Sequence, residues 1–293
     1  MAEELSKIIS NGIDTYTKNL NLCLPFILNI AMNGLAALII VAISFMYLFG
    51  SFSFKEYDSP EDLSLALISS LTQHIFEVAI LVLISLLIIL FISAFFTSGA
   101  IGMARQATET WKSELSTMIE TGKKNVVNLM LAEILFLLLA LAGVVFIVPG
   151  IKNFDFNQPS TSMGLLLIGG FLLWMVYLLI LGVVLAVFRY ALVIESLGPV
   201  EGILAGIDFF KKNMFDVIIL IVVTIGITIV FAIIDQVMTL IPFINIIWFF
   251  ISLMISICIL DPLMTVWWVR LYMTRTGKQV YVNDLLLHPN DLP

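Results

Sequence analysis

Charge is what this sequence has least of. Only 12% of its 293 residues are Asp, Glu, Lys or Arg, while 61% are hydrophobic; ordinary soluble domains carry about a quarter charged residues. Such a chain cannot cover a water-facing surface, so the bilayer must be its main solvent. Cysteine and histidine are scarce as well, two of each. Cys23 and Cys258 lie inside apolar runs with no CxxC or Cys/His spacing beside them, and they read as small hydrophobes. His74 and His288 each stand alone, without partners for metal binding or triad chemistry. There is no HExxH, no GxSxG and no phosphate-cradling glycine loop. The expectation is therefore no catalytic residue, no metal and no cofactor. No stripe of clustered Lys and Arg accompanies the net charge of −7, which excludes nucleic acid as the expected partner. The chain starts with Glu3 and Glu4 where a signal peptide would be basic, and its first apolar run is too long for a signal core, so cleavage is not expected.

What the chain does have is apolar length. Runs at about 21–48, 75–101, 125–149, 163–188, 214–239 and 244–267 are each long enough to cross a hydrocarbon core of roughly 30 Å at roughly 1.5 Å per residue. Pro242, in Leu240-Ile-Pro-Phe243, favours a tight turn between the last two over one long helix. With the N-terminus in the cytoplasm, twelve of the fourteen basic residues fall inside, leaving Lys55 and Lys152 outside. That asymmetry is a positive-inside signal and places both termini in the cytoplasm. Trp248 and the Trp267-Trp268 pair stand roughly 28 Å apart along a helix, the spacing expected of two interfacial belts.

A repeat organises the runs. Gly12-Ile-Asp-Thr-Tyr-Thr-Lys-Asn19, Met118-Ile-Glu-Thr-Gly-Lys-Lys-Asn125 and Gly206-Ile-Asp-Phe-Phe-Lys-Lys-Asn213 share small-or-Met, Ile, acid, three variable residues, Lys and Asn ahead of an apolar run. The fold expected is all-α integral membrane: six transmembrane helices as three hairpins, each preceded by a cytoplasmic interfacial amphipathic elbow helix. The acid, Lys and Asn of each copy (Asp14, Lys18, Asn19; Glu120, Lys124, Asn125; Asp208, Lys212, Asn213) are the elbow positions, with Lys snorkelling and Asn satisfying backbone groups where the helix breaks. One transmembrane domain fills 1–293, with repeats at about 1–104, 105–197 and 198–280 and a tail at 281–293. Ala94, Ser98 and Gly102 lie four apart and suit a close helix approach, and Asn29 and Asn33 suit an interhelical hydrogen bond.

The segment Arg189-Tyr-Ala-Leu-Val-Ile-Glu195-Ser-Leu-Gly198-Pro199-Val-Glu-Gly202-Ile-Leu-Ala-Gly206 through Asn213 resembles the signature of prokaryotic membrane proteins related to the glycerophosphoryl diester phosphodiesterase membrane domain. Leu263-Met-Thr-Val-Trp-Trp-Val-Arg-Leu-Tyr-Met-Thr-Arg275 is similar to that family's terminal span. Gly202 and Gly206 stand where the family usually has Ala and Ser. The resemblance implies a membrane module in a prokaryotic cytoplasmic membrane and no enzymatic activity, since the phosphodiesterase chemistry of fused members sits in a separate soluble domain.

Ionisable groups at depth are functional candidates. Glu133 is roughly 12 Å in from Asn125 and Asp261 roughly 9 Å in from Trp267, with Arg189 at a similar level. Together they suggest either an ion pair pinning three helices or a headgroup site centred on Arg189. Glu77, Asp216 and Asp235, near span ends, are expected to be solvated at the interface. The reading is a non-catalytic protein that binds membrane lipids or supports a complex with a membrane-protein partner. A transporter, which needs a continuous polar path through the hairpins, and an intramembrane enzyme acting through Glu133 or Asp261 stay open as alternatives.

Overall fold

A computed structural model describes residues 3–49, 59–152, 161–241 and 244–281. Lys55, Glu56, Asp58, the Pro242 turn and His288 lie outside the described residues. The elements are α1 (Leu5–Lys18), α2 (Leu24–Phe49), α3 (Pro60–Gln73), α4 (Ile75–Thr110), α5 (Leu115–Ala142), α6 (Val148–Lys152), α7 (Thr161–Val184), α8 (Phe188–Glu195), α9 (Pro199–Lys212), α10 (Met214–Thr239), α11 (Ile244–Ile255) and α12 (Asp261–Arg275). Among the described residues there is no strand. Six helical stretches are long and apolar enough to cross a membrane: Leu20–Leu48, Ile75–Thr110, Leu115–Phe146, Gly164–Glu195, Met214–Thr239 and Ile244–Arg275. They sit on the six expected runs, although the second, third, fourth and sixth extend beyond them at ends that carry charged residues.

Burial is uneven. No residue of the most apolar stretch in either of the first two spans is buried against protein, so Leu38, Val41, Met46 and Val82 face outward, as hydrocarbon solvent permits. The core gathers instead around α12, where α1, α4 and α8 pack against it. Ile8 of α1, Met103 of α4, Leu192 of α8 and Val266, Leu271 and Met273 of α12 are fully buried there.

Close backbone approach builds this core. In α4, Ala94 and Ser98 are buried, and a Cβ at Gly102 would lie 2.4 Å from Thr121 Oγ1, so α4 and α5 pack through the small-residue stripe. Asn33 donates from Nδ2 to Asn29 Oδ1 (2.8 Å) and to Ser93 Oγ (3.1 Å), tying α2 to α4. Gly202 and Gly206 have a similar role between α8 and α9. Cβ atoms there would stand 2.7 Å from Leu192 Cβ and 2.7 Å from Phe188 Cα, so α9 lies against α8 on these two glycines.

The sixth span bends for a reason visible in its sequence. Pro262 has no N–H to offer the Cys258 carbonyl, and the chain passes through a π turn at Ser256–Leu260, a usual site of helix distortion. The freed Cys258 carbonyl accepts a hydrogen bond from the Tyr16 hydroxyl. Burial, with the nearby Cys23 and Cys258 thiols, pushes the Tyr16 phenol up, so it stays a donor. Nearby, the Trp267 indole donates to the Ile9 carbonyl (3.0 Å). Trp267 and Trp268 are therefore covered by protein, 2% and 9% exposed, and do not form the lipid-facing belt expected of them. Trp248 donates to Asp235 Oδ1 (2.7 Å).

The three Lys-Asn segments differ. α1 ends at Asn19 (φ −131°) and α9 at Asn213 (φ −129°), but α5 runs through Asn125 without the break expected there. The middle segment is the first part of a continuous helix because the tight turn at Trp111, in the left-handed region at φ 62°, already reverses the chain after α4.

Candidate functional site

Three groups of polar residues stand out: an Arg189–Glu133 pair, a polar cavity beside α4 and α5, and a buried Arg270–Glu3 contact. Arg189, at the start of α8, holds Glu133 of α5 in a two-pronged ion pair: Nε to Oε1 at 2.6 Å and Nη2 to Oε2 at 3.0 Å. The Glu133 side chain is 16% exposed and that of Arg189 46%, so the pair is partly exposed and both charges are met. Asp261 does not join it. Among the described residues no ion pair or hydrogen bond connects its carboxylate to Arg189 or Glu133; its backbone carbonyl accepts from Thr265 (2.8 Å) and its backbone N–H donates to the Ser256 carbonyl. The expected three-residue cluster is a two-residue pair, because a count of residues along a helix gives depth and not the side of the helix a residue takes.

The elbow residues divide between contact and exposure. Asn19 is buried and fastens three segments: Nδ2 donates to the Thr15 carbonyl (2.9 Å) and the Trp111 carbonyl (3.1 Å), and Oδ1 accepts from the Ser113 N–H (2.9 Å). Lys18 lies over the Trp111 ring, 3.9 Å from its centre, in a cation–π contact. Asp14 is half-buried and Lys212 and Asp208 are exposed beside Asn213. Asp216 binds Arg275 (Nε to Oδ2 2.6 Å), so it is a packing contact and not merely solvated. Glu77 lies 3.7 Å from His74.

A cavity of about 310 Å³ opens between α4, α5 and the end of α8, lined by Arg105, Glu109, Glu120, Thr121, Lys124, Asn125 and Ser196 among others. Arg105 donates from Nε to Glu109 (2.8 Å) and from Nη1 to the Ile194 carbonyl (2.9 Å), which leaves part of its five-donor fork unused. Lys124 is exposed and, among the described residues, has no hydrogen bond or ion pair. Asn125 is 1% exposed. Its Nδ2 donates to the Thr121 carbonyl (3.1 Å), while Oδ1 has no donor. A buried acceptor without a partner is uncommon in folded proteins. Among the described residues no group of His, Cys, Asp and Glu is placed to hold a metal ion.

Reading for deep carboxylates missed the most buried charge. Arg270 is fully buried and grips Glu3 through Nε to Oε2 (2.9 Å) and Nη2 to Oε1 (2.9 Å), with Nη2 also donating to the Tyr281 carbonyl (3.0 Å). Arg275 adds a bond from Nη1 to the Glu3 carbonyl (2.8 Å). The available signal was Arg270 placed between Trp267-Trp268-Val269 and Leu271-Tyr272, an apolar and aromatic setting that no solvated arginine requires.

The fold defines an all-helical integral membrane protein with six membrane-crossing stretches. The chain belongs to the family of DUF7847, a domain of unknown function, which matches residues 64–266. No curated protein and no solved structure matches it.

Proposed function

We propose that this chain is a non-catalytic integral membrane protein that binds a lipid headgroup in the cavity between α4, α5 and α8. The reading rests on one observation: the same cavity is lined by Lys124, exposed and without a side-chain partner among the described residues, and by Asn125, whose buried Oδ1 has no donor. The same α5 helix exposes Val127 and Leu131 one to two turns further along. A headgroup can enter the polar cavity while its acyl chains lie along that apolar face. The Arg189–Glu133 pair is structural in this reading, since each charge already has its counter-ion.

The twelve-to-two distribution of basic residues supports both termini and the cavity on the cytoplasmic face, and the resemblance implies a prokaryotic cytoplasmic membrane. The likeness to the glycerophosphoryl diester phosphodiesterase membrane domain agrees with a module that lacks chemistry of its own. A three-hairpin repeat belongs to the same proposal. In its support, Asn19, Asn125 and Asn213 each donate from Nδ2 to the carbonyl four residues earlier, at 2.9, 3.1 and 3.1 Å.

The test is native mass spectrometry of protein released gently from its own membrane, comparing wild type, Lys124→Gln and Arg189→Ala. Retained lipid in wild type and Arg189→Ala, reduced in Lys124→Gln, is the expected result. A stoichiometric protein partner with no lipid in any form overturns headgroup binding and makes the chain a subunit of a membrane complex.

A further inference from the structure

The cavity's unpaired groups specify what kind of headgroup fits. Lys124 and the unused N–H groups of Arg105 require an acceptor, and an anion serves both. Asn125 Oδ1 requires the opposite, a donor. Its own Nδ2 is committed to the Thr121 carbonyl, and rotating the amide would set Oδ1 against that carbonyl, so the acceptor orientation is held in place.

We infer that the site selects a phosphodiester headgroup bearing an N–H or O–H donor: the phosphate is held between Lys124 and Arg105, and the hydroxyl or primary ammonium bonds to Asn125 Oδ1. Phosphoglycerol and phosphoethanolamine headgroups satisfy both demands. Phosphocholine carries the same phosphate but no donor, and it leaves the Asn125 oxygen buried and unpaired, the arrangement that most strongly rejects a ligand analogue. This inference rests on the lipid-binding reading above and adds the chemistry of selection.

The experiment titrates delipidated full-length protein in detergent with dioleoyl phosphatidylethanolamine, phosphatidylglycerol and phosphatidylcholine at equal concentrations, and with glycerol 3-phosphate, scoring bound states by native mass spectrometry. Wild type should prefer the ethanolamine or glycerol lipid over the choline lipid by about tenfold. Asn125→Leu should abolish that preference, and the exposed Lys124→Gln should weaken all three lipids alike. Equal binding of the three lipids by wild type, still weakened by Lys124→Gln, overturns donor selection and leaves lipid binding intact. No binding of any lipid overturns both readings. Glycerol 3-phosphate bound as well as the lipids shows that the same headgroup chemistry is read from a soluble ligand, and that overturns the lipid source.

Discussion

The contact between Glu3 and Arg270 offers the sharpest test of how α1 is held. Arg270 is 1% and Glu3 7% exposed at the side chain, with an Nη2 to Oε1 distance of 2.9 Å. Removing one member of a buried pair strands the other charge, at about 3–5 kcal/mol. At about 2–4 °C per kcal/mol for a protein of this size class, Glu3→Ala should lower the melting temperature in detergent by about 6–20 °C. Arg270 keeps its bond to the Tyr281 carbonyl, which favours the lower part of that range. The double variant Glu3→Ala with Arg270→Met should recover at least half of the loss, because a packed hydrophobe no longer needs a counter-ion. A Glu3→Ala shift under 2 °C, or a double variant worse than either single, would refute a desolvated pair and leave α1 held by its packing and its other hydrogen bonds.

Other substitutions separate the remaining contacts. Tyr16→Phe should destabilise by about 1–3 kcal/mol by orphaning the Cys258 carbonyl. With Pro262→Ala, which restores the N–H, the loss should shrink in a thermal double-mutant cycle, and purely additive effects would show that the two residues do not share that carbonyl. Gly102→Leu should separate α4 from α5 and lower thermal stability by about 1–3 kcal/mol or more. Gly226→Ala, where a new Cβ meets nothing within 4 Å, should leave stability unchanged or raise it by up to about 1 kcal/mol through helix propensity. Arg189→Ala should change stability by no more than about 1 kcal/mol, since its side chain is half exposed; a loss comparable with that of Glu3→Ala would show the Glu133 pair to be desolvated.

Membrane class and the number of spans were legible before any coordinates because both follow from local quantities. Apolar run length against bilayer thickness identifies the six stretches, and Met214–Thr239 coincides with the run read at 214–239. The carbonyl left free by Pro262 was equally local, since proline acts on the residue four back whatever surrounds it. The Glu133–Arg189 pair was legible from matching depths along two helices. Asp261 was placed by the same ruler and missed, because depth says nothing of the direction a side chain takes around a bent helix.

Tertiary structure alone decided which charges are buried and which polar groups lack partners. Arg270 and Arg275 are both basic residues near the end of one helix, and only the docking of α1 makes the first fully buried while the second keeps partial access. Lys124 and Asn125 were read as parts of an elbow, yet α5 passes straight through them, and the approach of α4 and α8 turns them into cavity lining. Span length is set by each segment's own transfer free energy into lipid. The partner of a given Lys, Asn or Trp depends on which other helix arrives beside it, information spread over residues as far apart as Glu3 and Arg270.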